Sequence, residues 1–283
     1  MKKIIVSAIL LCFISFSNAQ NSLLWKVTGS NLEHASYLYG TIHVICPDDF
    51  FLPKQTQSIF EECDQLVLEM DISDPAVLQT VQKGMVNPQM KNIKSDLTAE
   101  DQKLLNDVLT QTLGVGIDQL GIMKPWALST MLSVKLGLDC DQPSQYETEF
   151  IKLAKEADMQ ISSLETATEQ IAIFENIPYE KQLQLLIDGI KNQEEDKKLL
   201  MKMVDTYKNQ DINALYNFIL QEEEMKEFSE FLLDNRNVKW IPILNEAMAE
   251  KPSFIAFGAG HLAGDKGVIE LLKAEGYTVE PVK

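Results

Sequence analysis

The stretch SFIAFGAGHLAGDKGVIELLKAEGYTVEPV, residues 253–282, sets the fold class. Ser253 to Phe257 is a short apolar run rich in β-prone side chains, which predicts a buried strand. A glycine-rich turn follows. Asp265–Glu275 reads as a helix, and Gly276 stands where a helix ends in a left-handed residue. Tyr277 to Val282 then predicts a second strand. Strand, helix and strand in succession belong to an α/β sheet.

Working outward, the N-terminal part repeats the β theme. Leu23–Thr28 and Ser36–Thr41 predict a hairpin around Gly29-Ser30-Asn31. Pro53–Cys63 predicts a helix, and Gln65–Met70 a short buried strand. Between the sheet-forming ends the pattern is mainly helical. Thr98-x-x-Asp101 resembles a capping box, and Pro125 suits the first turn of a helix over Lys124–Leu136. Ser144-x-x-Glu147 predicts a capping box ahead of one apolar face, Phe150, Ile151, Leu153, Ala154 and Ala157, and Asp71 falls on the same strand face as Glu69. Met159–Leu164 predicts a strand, Thr166-x-x-Glu169 the cap of the next helix, and Pro178–Ala249 a charged helical region. The expected architecture is α/β (α+β): a central mixed sheet from the N- and C-terminal segments with a large helical middle insertion, roughly 75–138 and 178–250. No linker divides it, so 20–283 is expected to be a single domain.

The whole chain has 283 residues, 45% hydrophobic and 24% charged, the proportions of a globular protein. Its 25 basic against 42 acidic residues give a net charge of −17. With no basic run, it should repel nucleic acid and anionic lipid. Met1-Lys2-Lys3, the apolar Ile4–Phe16 and Ser17-Asn18-Ala19 have the form of a signal peptide, residues 1–19, cleaved after Ala19. Leu11 before Cys12 speaks against a lipobox, and no later segment is long enough for a membrane span. The expected location is therefore exported, periplasmic or extracellular, without stable membrane insertion. Cys46, Cys63 and Cys140 remain after cleavage, an odd number that permits one disulfide and a free thiol, or three thiols.

Histidine carries the functional signal. Of only three, His43 and His261 each follow a strand and a glycine three residues earlier: Gly40-Thr41-Ile42-His43 and Gly258-Ala259-Gly260-His261. Glycine there permits a sharp turn and a close approach, and holds imidazole at a sheet edge, where open α/β folds bind ligands. Imidazole suits divalent transition metals. Glu69, at the end of a buried strand, needs a partner. Glu165 stands at a second strand-to-helix junction and serves as ligand or base. Arg236 is the only arginine of the chain, suited to a bidentate carboxylate contact, with Asn237 beside it. Each has a plainer reading: core histidines, a lysine-paired Glu69, a dipole-favoured Glu165, a surface ion pair for Arg236. His34, the Gln221–Glu224 acidic run and the methionines read as solvated loop, solvated helix face and core filler.

Tyr39-Gly40-Thr41-Ile42-His43-Val44 with Gly258-Ala259-Gly260-His261-Leu262-Ala263-Gly264 resembles the TraB/GumN family, which includes the TIKI metalloproteases and carries two GxxH motifs and a glutamate. Leu66–Asp71, Ser163–Thr166 with Glu169-Gln170, Arg236-Asn237 and the Gly276–Val279 ending extend the likeness over nearly the whole mature chain. The resemblance implies a sheet of both termini around a helical middle, and His43, His261 and Glu69 as the motif residues. It also implies a divalent metal, manganese or cobalt, with zinc compatible with the donors. The expected function is a metal-dependent hydrolase, metallopeptidase-like, acting on a peptide or protein substrate. Glu69, Glu165, Arg236 and Asn237 are its expected catalytic groups. The alternatives are a non-enzymatic protein that sequesters a peptide, metal or haem, and a partner surface on the acidic helical region.

Overall fold

The computed structural model describes residues 21–29, 32–221 and 228–282. The expected leader, the hairpin tip 30–31 and the acidic residues 222–224 lie outside the described residues. In chain order come β1 (Leu24–Thr28), β2 (Ser36–Thr41), α1 (Lys54–Glu61) and β3 (Gln65–Leu68). The helices α2 (Pro75–Gly84), α3 (Ala99–Leu113), α4 (Ile117–Leu120), α5 (Pro125–Gly137) and α6 (Tyr146–Glu156) follow. Next are β4 (Gln160–Ser163), α7 (Ala167–Glu175), α8 (Tyr179–Lys191), α9 (Gln193–Lys208) and α10 (Ile212–Gln221). The chain ends with α11 (Asn235–Glu250), β5 (Ser253–Gly258), α12 (Val268–Ala274) and β6 (Thr278–Pro281).

The six strands form one mixed sheet in the order β4-β3-β5-β2-β1-β6. β4, β3, β5 and β2 are parallel; β1 and β6 add an antiparallel margin. β2, β3 and nearly all of β5 are buried. Helices cover both faces of such strands, so they read as continuous apolar runs rather than alternating ones. The main core gathers both sheet faces, including Tyr39, Phe150, Trp240 and Phe254. A second core is wholly helical and joins α3, α5 and α8 through Leu105, Leu109, Leu128 and Leu186. The mixed sheet and helical middle agree with the sequence expectation.

Four local expectations are corrected. Ser144 does not cap a helix. Its backbone forms an antiparallel bridge with Ile45, N–H to O 2.8 and 3.0 Å, and α6 starts after Gln145 without a side-chain cap. The backbone pairing holds Ser144 away from the cap position, which frees Glu147 for another use. Asp71 does not share the strand face of Glu69, because β3 ends at Leu68; its Oδ1 accepts from the Ser73 N–H at 2.8 Å, closing a turn. The last helix begins at Val268 instead of Asp265, after a turn through Gly264, whose φ is +90°. Finally, Gly40 and Gly258 are not needed for left-handed backbone, since positive φ among the glycines is confined to Gly114, Gly264 and Gly276. What both require is space. A Cβ on Gly40 would stand 2.6 Å from Leu262 Cδ1 and 2.9 Å from Ala259 Cβ. The Thr98 and Thr166 caps form as expected, Thr166 with Glu169 as a full capping box.

Cys46 and Cys140 form a disulfide, and Cys63 is a buried free thiol. Together with the Ile45–Ser144 bridge, the disulfide ties the loop after β2 to the approach of α6. No helix among the described residues is long and apolar enough to cross a membrane.

Candidate active site

Parallel strands all point their carboxyl ends one way, and in this sheet each of the four delivers a polar residue just past that end. β2 leads to His43, β3 to Glu69, β4 to Glu165 and β5 to His261. α11 brings Arg236 and Asn237 over the same edge. Open α/β sheets bind ligands at this edge.

Gly258 marks the point of convergence. A Cβ placed on it would lie 3.3 Å from Glu69 Oε1, 3.6 Å from His261 Cδ2 and 3.8 Å from His43 Nε2. Its own N–H donates to Glu69 Oε1 at 2.7 Å. The glycine of the second GxxH motif therefore leaves the room in which two imidazoles and a carboxylate meet.

Arg236 is the hub. Its Nε donates to Glu165 Oε2 at 3.1 Å, and Nη2 donates to both Glu165 Oε1 and Glu69 Oε2. Nη1 donates to the Leu232 carbonyl and to His261 Nε2, both at 3.0 Å. The Leu232 carbonyl lies in a π-helical turn, Glu230–Asp234, a local widening that often accompanies functional sites. The guanidinium also rests 4.8 Å over the Trp240 ring. Gln170 Nε2 adds a 3.2 Å hydrogen bond to Glu69 Oε2.

These contacts fix the tautomer of His261. A guanidinium only donates, so Nε2 accepts, and the ring proton sits on Nδ1. There it donates to Asn237 Oδ1 at 2.6 Å, while Asn237 Nδ2 donates to the Lys266 carbonyl at 2.8 Å. Asn237 is 1% exposed, behind the imidazole. Burial and then the nearby Arg236 push the His261 pKa down to about 3, so the ring is neutral. Burial opposes ionisation of Glu69, but Arg236, the two histidines and the Gly258 N–H outweigh it and hold its carboxyl at about 2.

His43 differs. Its side chain is 71% exposed, on the open side of the site. Nδ1 lies 3.3 Å from Glu147 Oε1, which also accepts from Thr41 Oγ1 at 2.8 Å. The hydrogen bond with Glu147 raises the His43 pKa, to about 9. Glu147 is the residue that sequence reasoning missed, because the Ser144-x-x-Glu147 pattern assigned it to a helix cap. A Cys46–Cys140 pairing was the signal that would have placed it beside His43. His34 is exposed and does not join the cluster.

A divalent metal suits these donors in kind: the neutral His261 imidazole, the ionised Glu69 carboxylate, and His43 once it gives up its second ring proton, with an Asn237 amide that orients His261 as outer partners orient ligating imidazoles. As the side chains stand, no three His, Cys, Asp or Glu among the described residues are arranged to hold an ion. The Arg236 guanidinium sits against the His261 Nε2 lone pair and balances Glu69 and Glu165. Seating a cation requires that guanidinium to give up His261.

An α/β protein with a buried arginine–carboxylate–imidazole centre at the carboxyl edge of its parallel strands is the class this architecture defines. The chain belongs to the TraB/PrgY/gumN family, whose sequence profile matches residues 23–281. It is similar to "Metalloprotease TIKI1" of Danio rerio, 23% identical, with 92% of this chain and 63% of the relative covered. It is also similar to "Metalloprotease TIKI homolog" of Nematostella vectensis (24% identical; 93% and 67% covered) and "Metalloprotease TIKI1" of Homo sapiens (24%; 92% and 62%). The chain spans just over three-fifths of the first relative's length. No solved structure matches.

Proposed function

We propose that the protein is an exported hydrolase of the peptidase type, dependent on a divalent metal, with peptide or protein substrates. The observation that carries this reading is the meeting of His43, His261 and Glu69 around Gly258, with Arg236 alongside. The relatives' printed names, metalloproteases, point the same way. His43, His261 and Glu69 would hold the metal, which when bound supplies a water of lowered pKa and polarises a carbonyl.

The protein's own groups have distinct tasks. Asn237 is a positioning residue: it holds the proton of His261 on Nδ1 and so keeps Nε2 available. Glu147 and Thr41 orient His43 at the open side. Glu165 anchors the guanidinium by a two-point contact, and Arg236, once off His261, faces the developing oxyanion or the substrate carboxylate. Glu69 remains ionised at neutral pH, in the form required of a ligand or proton acceptor. Export is supported by the Cys46–Cys140 disulfide, a pairing that persists in oxidising compartments, and by the leader-like pattern at residues 1–19.

The test is metal content of freshly purified protein and cleavage of peptides with manganese, cobalt or zinc, in wild type, His43→Ala and His261→Ala. Both variants should lose metal and cleavage. Unchanged metal binding in both would sink the proposal. Glu69→Gln separates hydrolysis from sequestration: cleavage should fall by roughly a hundredfold or more, whereas a purely binding protein would keep its ligand.

A further inference from the structure

A cavity of about 640 Å³ opens beside the cluster, between α7 and α11, and shares Glu165 and Arg236 with it. This is the size of sites that enclose small ligands. Its wall carries Phe231, Val238 and Ile243, which are 42%, 53% and 38% exposed and are three of the six large hydrophobics left exposed among the described residues. Leu164 and Ile173 extend the apolar lining. Isolated exposed hydrophobics need no explanation, but their concentration around one cavity marks a binding surface.

Both acids in the wall are already engaged. Glu165 is bound to Arg236. Glu169 accepts from the Thr166 N–H and Oγ1, both at 2.9 Å, and lies within the field of Lys239. With both acids engaged and Leu164, Ala172, Ile173, Phe231, Val238 and Ile243 in the lining, the cavity favours an uncharged, apolar occupant.

We propose that this cavity is the side-chain subsite of the hydrolytic centre and takes one bulky, uncharged, apolar side chain of a peptide substrate, of the leucine or phenylalanine class. The inference rests on the hydrolase reading, because Glu165 and Arg236 join the cavity to the reacting centre.

The experiment uses peptides in which one position at a time is alanine, leucine, phenylalanine, lysine or aspartate, assayed on wild type, Val238→Asp and Ile243→Asp. Both changes fall on exposed helix positions, and circular dichroism checks the fold. At one position, leucine and phenylalanine should exceed alanine by roughly tenfold or more in kcat/KM, with lysine and aspartate rejected. Either variant should erase that preference. Cleavage without it, or a preference unchanged in both variants, overturns the subsite and leaves the hydrolase reading in place. If no peptide is cut, N-acetyl-leucinamide and N-acetyl-phenylalaninamide are titrated by NMR. Shifts at Ala172 and Lys239 that vanish in Val238→Asp uphold the apolar side-chain pocket while the hydrolase reading falls; no shifts overturn the pocket as well.

Discussion

Arg236 is engaged by two carboxylates at once. Its side chain is 13% exposed and faces two carboxylates that are 9% and 7% exposed. Arg236→Ala strands both acids in a water-poor site, and removing one partner of such a network costs about 3–5 kcal/mol. Urea unfolding should show a loss of that order; a loss under about 1 kcal/mol would mean that water reaches the acids freely. Arg236→Lys keeps the charge but cannot reproduce the fork to Glu165 and should recover only part of the stability. Glu147→Gln tests the other side of the site. With the anionic acceptor gone, the His43 pKa should fall from about 9 toward its ordinary 6.5, followed by the ring proton signals in an NMR titration. At this scale the sequence was informative where rarity spoke: two of three histidines, the one arginine and a glutamate ending an apolar strand converge. It was silent on Glu147, since a local capping pattern looks the same whether or not a distant backbone has claimed the serine.

Among the elements, β2 meets the turn that follows β5 at Gly40. Gly40→Ala would push a Cβ to 2.6 Å from Leu262 Cδ1 and 3.0 Å from the Ala259 backbone. The cost should be about 1–3 kcal/mol by overpacking, read as a lowered thermal midpoint. The disulfide belongs here too. It closes a separation of 94 residues and holds the His43 loop against the start of α6. Replacing Cys46 and Cys140 by serine should cost about 2–5 kcal/mol and lower cleavage further than the stability loss alone. Equal thermal midpoints with and without reductant would contradict this. The strands and most helices were legible because apolar runs and turn residues agree there. The start of the last helix was misplaced because Asp265 is a good first-turn residue, whereas Gly264 and Gly267 spend those positions on a turn. Pairing of Cys46 with Cys140 was beyond reach, since spacing does not choose among three thiols.

For the whole molecule, stability of the metal-free protein should depend on pH in a defined direction. His261 sits at about 3 when folded against 6.5 otherwise. The unfolded chain therefore binds that proton first as pH falls below 6.5, and stability drops between about 6.5 and 3. Glu69, at about 2 against 4.5, adds a loss of the same sign in the lower part of that window. His43 acts oppositely, contributing below 6.5 and losing its contribution as pH rises through about 9; its exposure makes that contribution small. Urea midpoints should fall from pH 7 to pH 4; a flat profile would contradict a buried neutral imidazole. The mixed sheet was foreseeable because β-prone runs cluster near both ends of the chain. What the sequence concealed was their spatial order, since neighbours in a sheet are chosen by packing and not by sequence distance. That order has a consequence for biosynthesis. β5, flanked by β3 and β2, is among the last strands to leave the ribosome. Until it emerges, the earlier strands have no common centre to join, and a product cut short before Ser253 lacks both that keystone and the second imidazole. A chain terminated before Ser253 therefore cannot assemble the site.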